Sequence, residues 1–251
     1  MRQLYDYHVH TNLTDGEGTP EEVVLSAIEK GLYTLGFSEH SYTFFDTRYC
    51  LPADYSAYRE EISRLRMKYR DSIRILCGIE QDYFGHTPTC GFDYVIGSVH
   101  YVYKDGAYHP LDDDRETLKA IIDDHFGGDA LSLAESYFAS VGDVVKKTSC
   151  DIIGHLDLIT KFDEPDPLFD ASHPRYVKAW QTAVDALLPY GKPFEINYGA
   201  ITRGWRKTPY PAPDIVAYIK DRGGRFIYSS DSHSPENVAS FLNYNYRGIS
   251  S

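Results

Sequence analysis

Seven times along the chain a short apolar run ends in a polar group able to bind a metal or a substrate. The runs are Leu4–Tyr7, Tyr33–Ser38, Arg74–Ile79, Phe92–Val99, Asp151–Gly154, Phe194–Ile196 and Arg225–Ser230. They end in His8 and His10, Glu39 and His40, Glu80, His100, His155, Asn197, and Asp231 with His233. Each run has the length and composition of a strand. The first helix starts at Thr19-Pro20-Glu21-Glu22, which supplies an N-cap, a proline in the first turn and acidic groups facing the helix dipole. Val23, Val24, Ala27 and Ile28 then recur at helical spacing as far as Gly31. Tyr58, Ile62, Leu65 and Tyr69 form a second stripe within Asp54–Tyr69, and further helices are expected over Ala130–Thr148, Pro174–Leu188 and Asp214–Asp221, the last stopped by Gly223-Gly224. Tyr103–Gly128, with the acidic run Asp112-Asp113-Asp114, interrupts the alternation and reads as an irregular insertion bordering the mouth, its carboxylates solvated or, as the alternative, shaping a site for a cationic substrate. Strands alternating with helices predict an α/β fold, a parallel (β/α) barrel in which function collects at the C-terminal ends of the strands.

The length of 251 residues suits one barrel-sized domain spanning residues 1–251. Hydrophobic residues make up 42% and charged residues 25%, so a packed core is expected. The formal charge of −12 opposes attraction to nucleic acid or to an anionic membrane, which favours a small-molecule substrate. No apolar stretch approaches the ~20 residues of a membrane span, and Met1 leads directly into a strand, so a cytoplasmic protein is expected. Cys50, Cys77, Cys90 and Cys150 form no CxxC pair and read as reduced thiols, with Cys77 in the core.

A single histidine at a strand end is more often a hydrogen-bonded structural residue than a ligand. Here six of the ten histidines occupy such ends: His8, His10, His40, His100, His155 and His233. His86, His109, His125 and His173 fall in loops or helices and are set aside. His8 and His10, two apart in a strand, point to one face and can chelate one cation, and Asp231-Ser232-His233 repeats the device on the last strand. Asp15 adds a carboxylate in the first loop. Mixed imidazole and carboxylate ligands without cysteine suit catalytic zinc, manganese or iron. Nine candidate ligands over-supply one cation, so two or three divalent ions are expected, with Glu80 able to bridge neighbours.

The ordered set His8-x-His10, Asp15, His40, Glu80, His100, His155, Asp231-x-His233 resembles the polymerase and histidinol phosphatase (PHP) superfamily over nearly the whole chain. The segments Gly78-Ile79-Glu80-Gln81-Asp82-Tyr83, Ile96-Gly97-Ser98-Val99-His100, Gly154-His155-Leu156-Asp157-Leu158-Ile159, Glu195-Ile196-Asn197 and Ser230-Asp231-Ser232-His233 are similar to the stand-alone histidinol-phosphate phosphatases within it. The family often has His at position 15, and Asp is the form associated with the histidinol phosphatases. Eighteen residues follow His233, fewer than the resemblance leads one to expect for a last helix and tail.

The resemblance implies a distorted seven-stranded, TIM-like barrel with a trinuclear site. His8, His10, Glu80 and Asp231 would surround one ion, Asp15, His40 and His233 a second, and Glu80, His100 and His155 a third. It further implies hydrolysis of L-histidinol phosphate to L-histidinol and phosphate, a step of histidine biosynthesis, by attack of a metal-bridging hydroxide on phosphorus. Asp231, His233 and Glu80 would carry the chemistry. In the Gly-, Pro- and cation-rich loop Tyr198–Pro213, Arg203 is the expected phosphate ligand, with Arg206, Lys161 and Asn197 as further substrate contacts. The alternatives are another phosphoesterase of the superfamily, acting on nucleotides or phosphotyrosine, and a metal-binding interaction module without turnover.

Overall fold

The computed structural model describes residues 4–164 and 166–244. Its strands are β1 (Tyr5–Asp6), β2 (Thr34–Phe37), β3 (Arg74–Asp82), β4 (Tyr94–Ser98), β5 (Tyr101–Lys104), β6 (Ala107–Pro110), β7 (Ile152–Ile153), β8 (Phe194–Asn197) and β9 (Phe226–Ser229). Its α-helices are α1 (Pro20–Glu29), α2 (Ser56–Lys68), α3 (Arg115–His125), α4 (Ala130–Thr148), α5 (Pro174–Leu187), α6 (Gly199–Thr202) and α7 (Pro213–Asp221). Seven strands pair in the order β1-β2-β3-β4-β7-β8-β9, every neighbour parallel. The ring is almost closed just past the strand ends, where the His10 amide donates to the Ser232 carbonyl at 2.8 Å and the Ser232 amide to the His8 carbonyl at 3.3 Å. Asp6, fully buried, reinforces that seam by accepting from the Ser230 amide at 3.1 Å and the Ala239 amide at 2.9 Å. The expected (β/α) barrel is therefore present, distorted because β1 and β7 each span only two residues.

Two apolar layers hold the ring. The main core lies between strands and helices, with α2 on β3, α4 on β4 and α5 against α4 and α7, and includes Val23, Ile62, Leu65, Val141, Val184 and Ile219. A smaller cluster of Tyr94, Ile96 and Ile152, packed by Tyr7, Leu76 and Ile227, fills the barrel interior below the polar strand ends. Tyr94 explains two glycines of the neighbouring strands. A methyl group at Gly36 or Gly78 would overlap its ring, and its hydroxyl lies 2.6 Å from the Tyr7 carbonyl and 2.9 Å from that of Phe37. Three strands are thereby tied by one side chain.

The helices follow the expected segments closely. Thr19 caps α1 through a capping box with Glu22, and Asp129 caps α4. Three departures are physical. Tyr103–Gly128 is not irregular: β5 and β6 make a hairpin through Asp105 and Gly106, both at positive φ (50° and 82°), and α3 follows with Asp114 as its N-cap. Asp-Gly between two strand-like pairs favours this turn. The acidic run is exposed at Asp113 and Asp114, as expected, but it also caps α3 through Asp114 and lines the mouth, Asp112 being half-buried there. Finally, β3 runs on through Glu80, Gln81 and Asp82, since β4 pairs with it as far as Ser98. The four cysteines are free thiols, with Cys77 buried. No helix among the described residues is long and apolar enough to cross a membrane.

Because the Tyr94 ring occupies the space a side chain at position 78 would need, Gly78→Ala should destabilise the protein by about 1–3 kcal/mol through overpacking. Urea denaturation measures this; an unchanged midpoint would mean that the ring swings away at no cost.

Candidate metal centre

The strand ends deliver nine imidazole and carboxylate side chains into one volume. Glu80, at 1% exposure, lies at its centre. Its Oε2 is 3.4 Å from His8 Nε2, 3.5 Å from His10 Nε2 and 2.9 Å from His40 Nδ1. Its Oε1 is 2.9 Å from His155 Nε2 and 3.4 Å from His100 Nε2. Asp231 Oδ1 completes the floor at 3.6 Å from His8 Nε2 and 3.4 Å from His10 Nε2. Asp231 holds φ at +45°, a left-handed conformation costly for a residue with a side chain and common where a site demands a particular orientation. Gly199 has no room for a side chain because the Asp231 carboxylate lies against it.

These spacings suit a cation better than a hydrogen-bonded network. Ligands of a tetrahedral zinc ion, bonded at about 2.0–2.2 Å, stand roughly 3.3–3.6 Å from each other, and the four cross-distances among His8, His10, Glu80 and Asp231 run from 3.4 to 3.6 Å. His8 Nε2, both nitrogens of His10, Glu80 Oε2 and His155 Nδ1 are buried with no hydrogen-bond partner among the described residues. An unpaired buried polar atom costs about 1–3 kcal/mol, so several together mark a place built for something else. Burial, with His40 and His233 alongside, holds His10 down to about 3, which keeps its imidazole neutral as metal ligation requires.

The residues sort into four overlapping groups able to hold an ion: His8, His10 and Glu80; His10, Asp15, His40 and His233; His40, Glu80 and His100; and His8, His155 and Asp231. All nine expected ligands are therefore brought together. The partition differs in detail from the expected one, since His10 also reaches the Asp15 group and His155 also reaches His8 and Asp231. In the second group, Asp15 stands 3.5 Å from His40 Nε2 and 3.1 Å from His233 Nε2.

An outer layer of acids orients the imidazoles. Glu195, fully buried, accepts from His8 Nδ1 at 2.6 Å and from the His155 amide at 2.8 Å, while Ser229 and Asn197 complete its shell. Asp82 stands 3.2 Å from His100 Nδ1. Glu39 accepts from Thr11 and Thr14 and so fixes the loop bearing Asp15; burial pushes its carboxyl up to about 7. The sequence marks Glu39 only as a strand-end group and gives none of the three an orienting role, although an acid inside an apolar strand, as in Phe194-Glu195-Ile196-Asn197, is a readable signal for Glu195.

The cluster forms one end of a cavity of about 350 Å³ whose wall carries Arg48, Lys161, Arg203, Asp46, Asp112 and Asp113. Arg203 Nη2 lies 3.5 Å from Asp231 Oδ2, and Lys161 Nζ donates to the Asp112 carbonyl at 2.7 Å. Two expected substrate contacts lie elsewhere. Asn197 is fully buried, its amide donating to Glu195 and Asp231 at 3.0 and 3.1 Å and its carbonyl oxygen accepting from the Gly199 amide, so its polar groups are spent inside the protein. Arg206 is buried over the Tyr210 ring, against Asp157 and Thr160, and does not line the cavity.

Residues 6–199 match the family model described as the PHP domain. The chain belongs to that family. A protein of Deinococcus radiodurans named probable histidinol-phosphatase is 31% identical to this PHP domain protein over 95% of its chain and 89% of the relative. The histidinol-phosphatase of Bacillus subtilis is 25% identical, covering 94% and 96%. Among solved structures, a histidinol phosphatase candidate from Listeria monocytogenes superposes with a TM-score of 0.79 at 19% identity, covering 96% and 99% of the two chains. The histidinol phosphate phosphatase of Lactococcus lactis, solved with zinc, L-histidinol and phosphate, gives 0.70 at 22% identity, covering 96% and 90%. Both share the fold.

Glu195→Gln should leave the PHP fold intact and weaken metal retention about 10- to 100-fold, the usual effect of losing an orienting acid behind a ligating imidazole. Competition against a chromogenic chelator reads it; retention equal to wild type would remove Glu195 from the site.

Proposed function

We propose that the chain is a metal-dependent phosphoric monoester hydrolase that converts L-histidinol phosphate to L-histidinol and phosphate. The observation that carries the proposal is the meeting, in one cavity, of a multi-ion ligand cluster with three cationic side chains, Arg48, which Asp46 and Asp113 hold, and Arg203 and Lys161. His8, His10, Asp15, His40, Glu80, His100, His155, Asp231 and His233 would hold two or three divalent ions, zinc being the one bound by the Lactococcus lactis protein. Such ions supply Lewis acidity to phosphoryl oxygens and an activated water. Glu80 reaches five of the six imidazoles and would hold ions on both of its oxygens. Asp231 links that cluster to the guanidinium of Arg203, whose planar fork matches two oxygens of a phosphate dianion. Lys161 adds a point charge from the neighbouring loop after β7. His233, at hydrogen-bonding distance from both Asp15 and the Asp231 carbonyl, stands at the cavity face of the cluster, where it would hold an ion beside the bound ester.

The identity of the alcohol rests on the relatives, matched over 89% and 96% of their lengths and both named for histidinol phosphate chemistry. The wall agrees with it. Asp46, Asp112 and Asp113 line the mouth, which favours an alcohol bearing an ammonium group and disfavours the additional phosphates of a nucleotide. As a step of amino-acid biosynthesis the reaction belongs in the cytoplasm.

A phosphate-release assay on metal-loaded protein, with histidinol phosphate against nucleotides, sugar phosphates and phosphotyrosine, tests the proposal; a higher kcat/KM for any of the other esters would replace the substrate. With the preferred ester, Arg203→Ala should lower kcat/KM by about 1.5–3 kcal/mol, one to two decades, at unchanged metal content. Arg203→Lys should recover part of that, and Asp231→Asn should abolish turnover. His86→Ala, whose ring stacks on Phe44 outside the cluster, should behave as wild type.

A further inference from the structure

Arg206 and Asp157 are a buried ion pair that the reaction as proposed does not use. Arg206 follows Arg203 in the loop after β8, and Asp157 precedes Lys161 in the turn after β7. The guanidinium Nη1 stands 3.7 Å from Asp157 Oδ2 and donates to Thr160 Oγ1, while its carbon lies 4.5 Å from the Tyr210 ring centre. Asp157 Oδ2 also accepts from the Ala212 amide at 3.0 Å, so the carboxylate holds both the middle and the end of the neighbouring loop. Trp205 and Phe162 meet edge to face at 5.1 Å, and the Lys207 amide donates to Glu164 at 3.0 Å across the same seam. The two loops thus touch along their length, and each carries one cation of the cavity wall, Lys161 or Arg203.

The pair is poorly suited to be a simple source of stability. Its charges are 3.7 Å apart, and Arg206 Nε and Asp157 Oδ1 are buried with no partner among the described residues. Desolvating two charges for so loose a contact gains little over apolar packing. What the contact does fix is register: a guanidinium seated between Thr160, Asp157 and Tyr210 allows one placement of the loop, where an apolar side chain would allow several. We infer that the Asp157–Arg206 pair is a positioning device, clamping the Arg203 loop to the Lys161 turn so that both cations meet one phosphate. The inference rests on the phosphate-binding roles proposed for Arg203 and Lys161.

The test uses metal-loaded protein and inorganic phosphate as the probe, with binding measured by calorimetry and metal content by elemental analysis. In Arg206→Met the phosphate dissociation constant and the KM for histidinol phosphate should rise together by about 10- to 100-fold, the scale expected when a binding group is misplaced by an ångström. Metal content should stay at the wild-type level and kcat should change less than KM. Arg206→Lys, which keeps the charge without the fork, should recover part of the phosphate affinity. Asp157→Asn combined with Arg206→Gln removes both charges, leaves no lone buried ion and keeps an acceptor for the Ala212 amide; the same rise is expected in it. Folded variants with wild-type phosphate affinity would overturn the clamp, as would loss of metal with KM unchanged. Failure of both the single and the double variant to fold would also count against it, since the pair would then be a stability element. Absence of phosphate binding by the wild-type holoprotein would sink the proposed function and the clamp together, whereas wild-type binding with unaltered variants sinks the clamp alone.

Discussion

A carboxylate buried among five imidazoles is the constraint on which the structure turns. Glu80 is nearly inaccessible to water, and the atoms facing its Oε2 include His8 Nε2 and His10 Nε2, both without a hydrogen-bond partner among the described residues. In protein alone this arrangement is expensive, because each unpaired buried polar atom retains its desolvation cost. Two or three divalent cations convert the same atoms into ligands and turn the cost into binding free energy. The cluster is therefore best understood as a ligand set whose counterpart is metal.

Much of the surrounding architecture serves that arrangement. Short parallel strands bring nine side chains to one end of the ring, and the His8–Ser232 seam places the first and last ligand pairs, His8 with His10 and Asp231 with His233, side by side. Behind them, Glu195, Asp82 and Glu39 fix rings and loops through hydrogen bonds. In front, Arg203 and Lys161 come from loops on adjacent strands, and neither is one of the nine ligand residues, although Lys161 shares the turn after β7 with His155. Metal binding and phosphate recognition can accordingly be perturbed separately by mutation.

The barrel and the ligand set were legible in the sequence because both rest on local pattern. Strand composition, helix caps and the i, i+2 spacing fix which way His8 and His10 point before any tertiary contact is known, whereas Asp231, past the end of β9, takes its direction from a left-handed backbone the alternation does not contain. The Asp105-Gly106 hairpin was equally local and was missed, since the acidic run beside it suggested a loop. Arg206 and Asn197 were misplaced for a different reason. Arg203 and Arg206 share one basic loop, and only Asp157 and Thr160, more than forty positions away, draw one of them inward while the other faces the cavity. Asn197 ends its strand as the ligands end theirs, yet Glu195 and Asp231 consume its amide. Partner-dependent burial of that kind has no signature within a short window of sequence.

Anomalous diffraction from crystals of the zinc-loaded protein tests the central claim most directly. The account predicts two or three peaks at the mouth of the barrel, each about 2.0–2.3 Å from ligand atoms of the named histidines and carboxylates, with the Glu80 carboxylate shared between at least two of them. A single ion, ions bound away from Glu80, or a zinc-loaded crystal whose cluster shows no peak would contradict it.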